Sequence, residues 1–290
     1  MSAVSQCGTN RHALSSLTLT SGVSAGVLRL VNIALTDQVV LITGAGRGIG
    51  KEIAKMAAEA GAKVVVASRS ADQLGQVVSE IEAAGGTALA VPTDVTDKDA
   101  LKALVKTTVE TYGRLDVLVN NAATNYIANL VMAKEDKVRD LYDVNLFSVF
   151  TLTQLALRHM IRQKSGRIIN VSSVSAKLGA AYNSAYASSK AAMLGFTKSV
   201  AREVAKVGIT SNAICPWHVD TELVQEAMAN RAKMFGKDTE AYIAEIVDHS
   251  PQKRLITTRE VGGLALFLMS NEARGITGQS LNVCGGSVMD

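Results

Sequence analysis

The feature that most limits what this chain can fold into is a strand that runs directly into a glycine-rich turn and then into a helix. Val39-Val40-Leu41-Ile42-Thr43 is an apolar, largely β-branched run of one strand's length. Thr43-Gly44-Ala45-Gly46-Arg47-Gly48-Ile49-Gly50 follows at once, and Ile49 to Ala60 has helical periodicity closed by Gly61. Four glycines at alternate positions exceed what a merely structural loop requires. Lacking Cβ atoms, they let the backbone turn tightly and approach a pyrophosphate, while the helix amino terminus offers unpaired N–H groups and a partial positive charge. The strand, turn and helix together predict a phosphate-binding site in a first βαβ unit.

The rhythm repeats downstream. Strands are expected at Lys63–Ala67, Thr87–Val91, Leu115–Val119, Arg167–Val171, Ile209–Ile214 and Ser280–Val283. Helices are expected at Ala71–Ala84, Asp97–Tyr112, Lys134–Gln163, Ser184–Val207 and Thr258–Ser270. Strands that are apolar on both faces and alternate with helices imply an α/β, doubly wound (Rossmann) fold, with a mostly parallel seven-stranded sheet covered on each side. The stretch from about 217 to 257 breaks the rhythm with helical, strand-free sequence and is expected to form a small substrate lobe at the carboxyl edge of the sheet, where ligands bind in such folds. Its Met228, Met234, Phe235, Tyr242 and Ile246 are expected as lid core and suggest an apolar-lined pocket.

Composition narrows the partners. The 290 residues are 48% hydrophobic, enough for one large core over about 37–290, and no composition break divides them after residue 37. Thirty basic and 26 acidic residues are interspersed, so the net charge of +4 forms no nucleic-acid or membrane patch. Cys7, Cys215 and Cys284, with His12, His159, His218 and His249, lack metal-ligand spacing, and reduced thiols are expected. The apolar run Leu264–Met269 is far shorter than the roughly 20 residues needed to cross a bilayer. These features point to a cytoplasmic protein. Residues 1–36 hold Arg11 and Arg29, many hydroxyl side chains and no acid before Asp37. Such an extension is either a disordered tail or a targeting segment, and the second would place the protein in the mitochondrial matrix or another organelle.

Further motifs carry chemistry. At the end of the second strand the chain reads Ala67-Ser68-Arg69-Ser70, with no acid until Asp72. An acid there would bind the adenosine 2′-hydroxyl of NAD, whereas Arg69 with Arg47 can clamp a 2′-phosphate, which favours NADPH/NADP+ over NADH/NAD+. Tyr186 and Lys190 lie four residues apart on one face of a long helix. A phenol titrates near 10, and holding it near 7 takes roughly 4 kcal/mol of preference for the phenolate, which a neighbouring Lys cation and a bound oxidised nicotinamide can supply. Ser173 closes the preceding strand thirteen residues before Tyr186.

The turn Thr-Gly-x-x-x-Gly-x-Gly, Asn120-Asn121-Ala122, Asn145, Ser173 and Tyr186-x-x-x-Lys190 together resemble the short-chain dehydrogenase/reductase family, from about Asp37 to the carboxyl terminus. The resemblance implies a reversible, NADPH-dependent reductase of a ketone, of the small-ketone or 3-oxoacyl type. Tyr186 would transfer the proton, Lys190 would lower its pKa and bind the nicotinamide ribose, Ser173 would orient the substrate oxygen, and Asn145 would anchor a proton relay. It assigns Gly44, Gly46, Arg47, Gly48, Ile49 and Gly50 to the cofactor turn, Ser68 and Arg69 to the adenosine phosphate, and Asp94 and Val95 to the adenine. It further assigns Asn121, Ala122, Pro216, Val219 and Thr221 to the rest of the cofactor, and implies a homo-oligomer, dimer or tetramer. The rival readings are an NAD-dependent secondary alcohol dehydrogenase and a catalytically silent NADP-binding sensor. Ala123 and Trp217 stand where the family commonly has glycine. Trp217 either walls the substrate site or packs inward, His218 is expected as a loop residue in contact with solvent or weakly with substrate, Ser172 is expected on the face opposite Ser173, and Tyr182 is expected near the substrate pocket.

Overall fold

The computed structural model describes residues 33–289. Expectations for residues 1–32, including Cys7 and most of the basic extension, lie outside the described residues. Leu35, ahead of Asp37, is fully buried and its N–H donates to the Ala60 carbonyl.

In chain order the elements are β1 (Val39–Thr43), α1 (Gly48–Glu59), β2 (Lys63–Ser68), α2 (Ala71–Ala83), β3 (Thr87–Pro92), α3 (Lys98–Tyr112), β4 (Val117–Asn120), α4 (Glu135–Tyr142), α5 (Ser148–Gln163), β5 (Gly166–Val171), α6 (Ser175–Leu178), α7 (Ser184–Val204), β6 (Ile209–Pro216), α8 (Glu222–Met234), α9 (Thr239–His249), α10 (Thr258–Met269) and β7 (Ser280–Val283). The seven strands form one sheet in the order β3-β2-β1-β4-β5-β6-β7, every pair parallel. Strand order reverses between β1 and β4, and the crevice between their carboxyl ends is where a ligand site forms in this topology.

Period-two alternation assigns each strand's residues to one of two cores. Val40 and Ile42 join Ile53 and Ala57 of α1, Leu74 and Val77 of α2 and Leu268 of α10 on one side. Val39 and Leu41 join Leu104 of α3, Leu152 and Ala156 of α5 and Val200 of α7 on the other. Caps follow the sequence: the Asp97 carboxylate accepts from Asp99 N–H at 2.8 Å and Ala100 N–H at 3.2 Å at the start of α3, and Thr257 with Glu260 forms a capping box on α10.

Several expected boundaries are revised. The single helix over Lys134–Gln163 is interrupted by a π turn at Asp143–Phe147, where Asn145 is pulled into the interior by bonds to Thr124. β4 starts at Val117 rather than Leu115, because the Leu115 N–H and carbonyl are taken by the Gln163 side chain and the Asp116 carboxylate accepts from Val39 N–H at 2.9 Å. β6 runs on to Pro216, paired with Val283, and the last turn expected on α7 is a 3-10 turn over Ala205–Val207. Neither α6 nor the 3-10 turn at Leu130–Met132 was expected. The lobe is built from α8 and α9, with Met228 and Tyr242 buried between them, but Met234 and Phe235 are exposed rather than core.

A buried amide chain fixes α7 on the sheet. Asn120 Nδ2 donates to Asn170 Oδ1 at 2.8 Å and to Thr153 Oγ1 at 3.1 Å, and Asn170 Nδ2 donates to Thr197 Oγ1 at 2.9 Å. Replacing Asn170 by Ala leaves the Asn120 amide and the Thr197 hydroxyl short of partners in a dry interior, and is expected to cost about 2–4 kcal/mol in unfolding free energy by denaturant titration.

Candidate active site

The carboxyl end of β1 is tied to that of β4 by side chain and backbone together. Thr43 Oγ1 accepts from the N–H groups of Asn121 and Ala122, both at 3.1 Å, and Asn121 Nδ2 donates to the carbonyls of Thr43 at 2.9 Å and Gly44 at 3.1 Å. Contact is so close that a Cβ at Gly50 would stand 2.5 Å from Asn121 Nδ2 and from the Gly44 oxygen, and one at Gly44 would stand 2.8 Å from Ala122 Cα. Gly44 and Gly48 also adopt φ of +64° and +56°, which L side chains resist. Arg47, the N-cap of α1, is extended and its side chain caps nothing, so no side chain claims the first N–H groups of α1. Bare backbone and a helix amino terminus that no side chain caps fit a pyrophosphate.

A cleft of about 1210 Å³ extends from this turn across the sheet edge. It is lined by Gly44, Gly46, Arg47, Gly48, Ile49, Ser68, Arg69, Asp94, Val95, Asn121, Ala122, Ser173, Tyr186, Lys190, Pro216, Val219 and Thr221. Two expected residues do not line it. Gly50 lies behind the turn and makes room for Asn121. Asn145 is fully buried, its Oδ1 accepting from Thr124 N–H at 2.8 Å and its Nδ2 donating to Thr124 O at 3.0 Å and Ser189 Oγ at 3.2 Å.

Just beyond the end of β3, the Asp94 carboxyl is held below the usual carboxylate range, first by the N–H and hydroxyl of Thr96 and last by the charge of Arg69. Arg47 Nη1 makes an ion pair with Glu222 Oε2 at 2.8 Å, joining the glycine turn to the first turn of α8. Glu222 carried no motif in the sequence; it simply follows Thr221, and 175 residues separate it from Arg47.

At the other end, α7 presents Tyr186 and Lys190 beneath the end of β5. Lys190 is 1% exposed, its Nζ donates to the Val171 carbonyl at 2.7 Å, and it lies 5.8 Å from the centroid of the Tyr186 ring. Burial pushes the ammonium down to about 8. Burial also raises the Tyr186 phenol above its ordinary value, and the neighbouring Ser173 hydroxyl opposes that rise. Ser172 is not on an opposing strand face, because β5 ends at Val171; its hydroxyl donates to the Lys190 carbonyl at 3.0 Å and clamps α7.

The departures from the family pattern resolve physically. Ala123 is absent from the positive-φ residues, so the extra methyl group meets no backbone strain. Trp217 does both things considered for it, lining the cleft while packing on the cores beneath. His218 is half-buried: its ring lies edge-on to Trp217 with centroids 4.7 Å apart, and burial, then the charge of Arg231, push its pKa down to about 4. Tyr182 packs edge-on against Phe235 at 5.3 Å rather than lining the cleft. The Thr221 hydroxyl caps α8 by accepting from Val224 N–H at 3.3 Å. Among the described residues no cluster of possible metal ligands occurs, and no helix is long and apolar enough to cross a membrane.

The family profile of the short chain dehydrogenases matches residues 38–232. A 3-oxoacyl-[acyl-carrier-protein] reductase of Synechocystis is 40% identical over 258 residues, covering 88% of this chain and 99% of the relative. Oxidoreductase UcpA of Salmonella typhimurium is also 40% identical, over 88% of this chain and 96% of its own. In three dimensions the chain resembles a variant of the actinorhodin polyketide ketoreductase with NADPH, at a TM-score of 0.84 and 34% identity, over 86% of this chain and 97% of that one.

Lys190 makes stability depend on pH. Between about 8 and the unfolded value of 10.5 the unfolded chain binds more protons at this position, so the stability it contributes is complete above 10.5 and is lost as pH falls through about 8. Comparing the cofactor-free protein with Lys190→Met by denaturant titration, the difference is expected to move in favour of the unmutated protein by on the order of 3 kcal/mol between pH 7 and pH 10.5.

Proposed function

The chain belongs to the short chain dehydrogenase family and is an oxidoreductase of that family; on that premise we propose that it is an NADPH-dependent reductase of a ketone, with Tyr186 as the proton donor. The observation that carries the reading is the convergence of Ser173, Tyr186 and the buried Lys190 on the wall of a cleft whose far end is a glycine turn fit for a pyrophosphate. The names of the Synechocystis relative and of the ketoreductase with NADPH support both the ketone and the cofactor.

The chain's own residues supply everything but the hydride. The glycine turn seats the pyrophosphate, Ser68, Arg69 and Arg47 receive the adenosine 2′-phosphate, and Asp94 and Val95 flank the adenine. Asn121, Ala122, Pro216, Val219 and Thr221 line the remainder, with Lys190 and Tyr186 at the nicotinamide ribose. The bound reduced nicotinamide supplies the hydride. Ser173 and Tyr186 hold the carbonyl oxygen by hydrogen bonds, and Tyr186 passes its proton to that oxygen as negative charge develops there. Asn145, which grips Thr124 and Ser189, holds α7 in place and anchors the route by which the proton is replaced. Phe147 and Phe150, exposed on α5 and its lead-in, with the Phe150 ring tilted against Phe196 of α7, support pairing of two copies through these helices.

The cofactor assignment is tested by binding. With Arg47 and Arg69 both changed to Gln, NADPH affinity is expected to fall roughly 10- to 100-fold while NADH affinity changes by less than about threefold. Glu222→Gln frees Arg47 for the phosphate and is expected to tighten NADPH alone by about two- to fivefold. Equal affinity of the unmutated protein for both cofactors contradicts the assignment. A panel of ketones, 3-oxoacyl thioesters and alcohols, followed by nicotinamide absorbance, tests the reaction itself. Turnover of no carbonyl by protein that binds NADPH contradicts it.

A further inference from the structure

A second chamber, of about 220 Å³, shares Ser173, Tyr186 and Trp217 with the cleft but none of the glycine turn. Its wall is largely apolar, through Val174, Leu178, Met228, Tyr242 and Ile246. One charged side chain stands in that wall, Arg231 of α8, and no carboxylate does. Among the described residues Arg231 has no ion-pair partner, and its hydrogen bond to the Ala181 carbonyl is 3.4 Å long. A guanidinium at an apolar chamber without a counter-charge is a receptor for an anion.

The surroundings of Arg231 agree with that role. His218, on the same wall, lies close enough for the Arg231 charge to disfavour its protonation. It stays neutral, so it offers a hydrogen bond without repelling the cation. Asn183 is 6% exposed and its Oδ1 has no hydrogen-bond partner. It lies in the loop whose Ala181 carbonyl Arg231 touches, and it lines the same chamber. Arg231, His218 and Asn183 therefore line one space, and Tyr186 lines it with them.

We infer that this chamber takes a compact ketone bearing a carboxylate, a short oxo acid, with the carboxylate on Arg231 and the ketone at Tyr186 and Ser173. The inference deepens the reductase reading above and rests on it. At about 220 Å³ the chamber is under a fifth of the volume of the main cleft, which suits a short oxo acid better than a long acyl chain. Reduction adds a hydride to the ketone carbon and the Tyr186 proton to its oxygen, giving the hydroxy acid. The carboxylate takes no part in bond making and serves to hold the ketone at Tyr186.

The matched probes are acetoacetate, its methyl ester, which differs by the charge, and a 3-oxobutanoyl thioester, all assayed with NADPH on the full chain. The acid is expected to exceed the ester in kcat/KM by at least about tenfold. Arg231→Leu is expected to lower that acid-to-ester ratio roughly 30- to 100-fold, mostly through the KM of the acid, and Arg231→Lys to keep part of it. NADPH affinity, measured by fluorescence, reports whether each variant is folded, and if the Leu variant fails that check the Lys variant decides by the same ratio. An ester or thioester reduced as well as the acid overturns the inference and leaves the reductase reading standing, as does a variant that lowers acid and ester in proportion. Reduction of no carbonyl while NADPH binds overturns both.

Discussion

Where β1 and β4 part, Thr43, Gly44, Gly50 and Asn121 lie so close that no side chain fits among the two glycines. The Asn121 amide bridges two successive carbonyls of the turn, and the Thr43 hydroxyl takes two successive N–H groups from beyond β4. This contact fixes the fork in the strand order and keeps the turn open to a ligand on its outer side. Because every strand is parallel, the ends of β2, β4, β5 and β6 arrive at the same edge. Ser68, Asn121, Ser173 and Pro216 therefore line one cleft, although they come from four separate strand ends.

The chemistry depends on a second arrangement, the seating of α7 against β5. Lys190 is buried with its ammonium on the Val171 carbonyl, Ser172 holds the Lys190 carbonyl, and Asn170 holds Thr197 about two turns further along the same helix. Taking a lysine out of water is costly, and its depressed value of about 8 expresses that cost. A helix anchored at these points cannot shift to relieve the strain, so Tyr186 stays at its station beside Ser173. The lobe approaches from the opposite side, through Thr221 against Gly48 and Glu222 on Arg47, at the glycine turn.

Much of this could be read from residue patterns, because the signals were local. Runs such as Val39–Thr43 are apolar on both faces, which only a covered parallel strand requires, and all seven expected strands are present in one parallel sheet. Ser173, Tyr186 and Lys190 stand together on the cleft wall. What escaped the sequence depends on contacts between distant segments. The periodicity of Lys134–Gln163 is helical throughout, and only the grip of Asn145 on Thr124 forces the π turn. The half-burial of His218 against Trp217 likewise depends on how the loop folds back on the chain. Glu222, Asn183 and Arg231 carry no spacing signal, since each matters through a residue or a space that another part of the chain supplies.

The central claim is that a phenol on α7 delivers the proton while the glycine turn holds NADPH. The most direct measurement is the steady-state and single-turnover oxidation of NADPH by a reducible ketone, compared between the unmutated protein and Tyr186→Phe, with NADPH affinity measured on both. The account predicts a loss of roughly 10²- to 10⁴-fold in the rate with NADPH affinity within about threefold, because the ring and its packing remain and only the donor hydroxyl is gone. A Phe variant that reduces the ketone at the unmutated rate would contradict it.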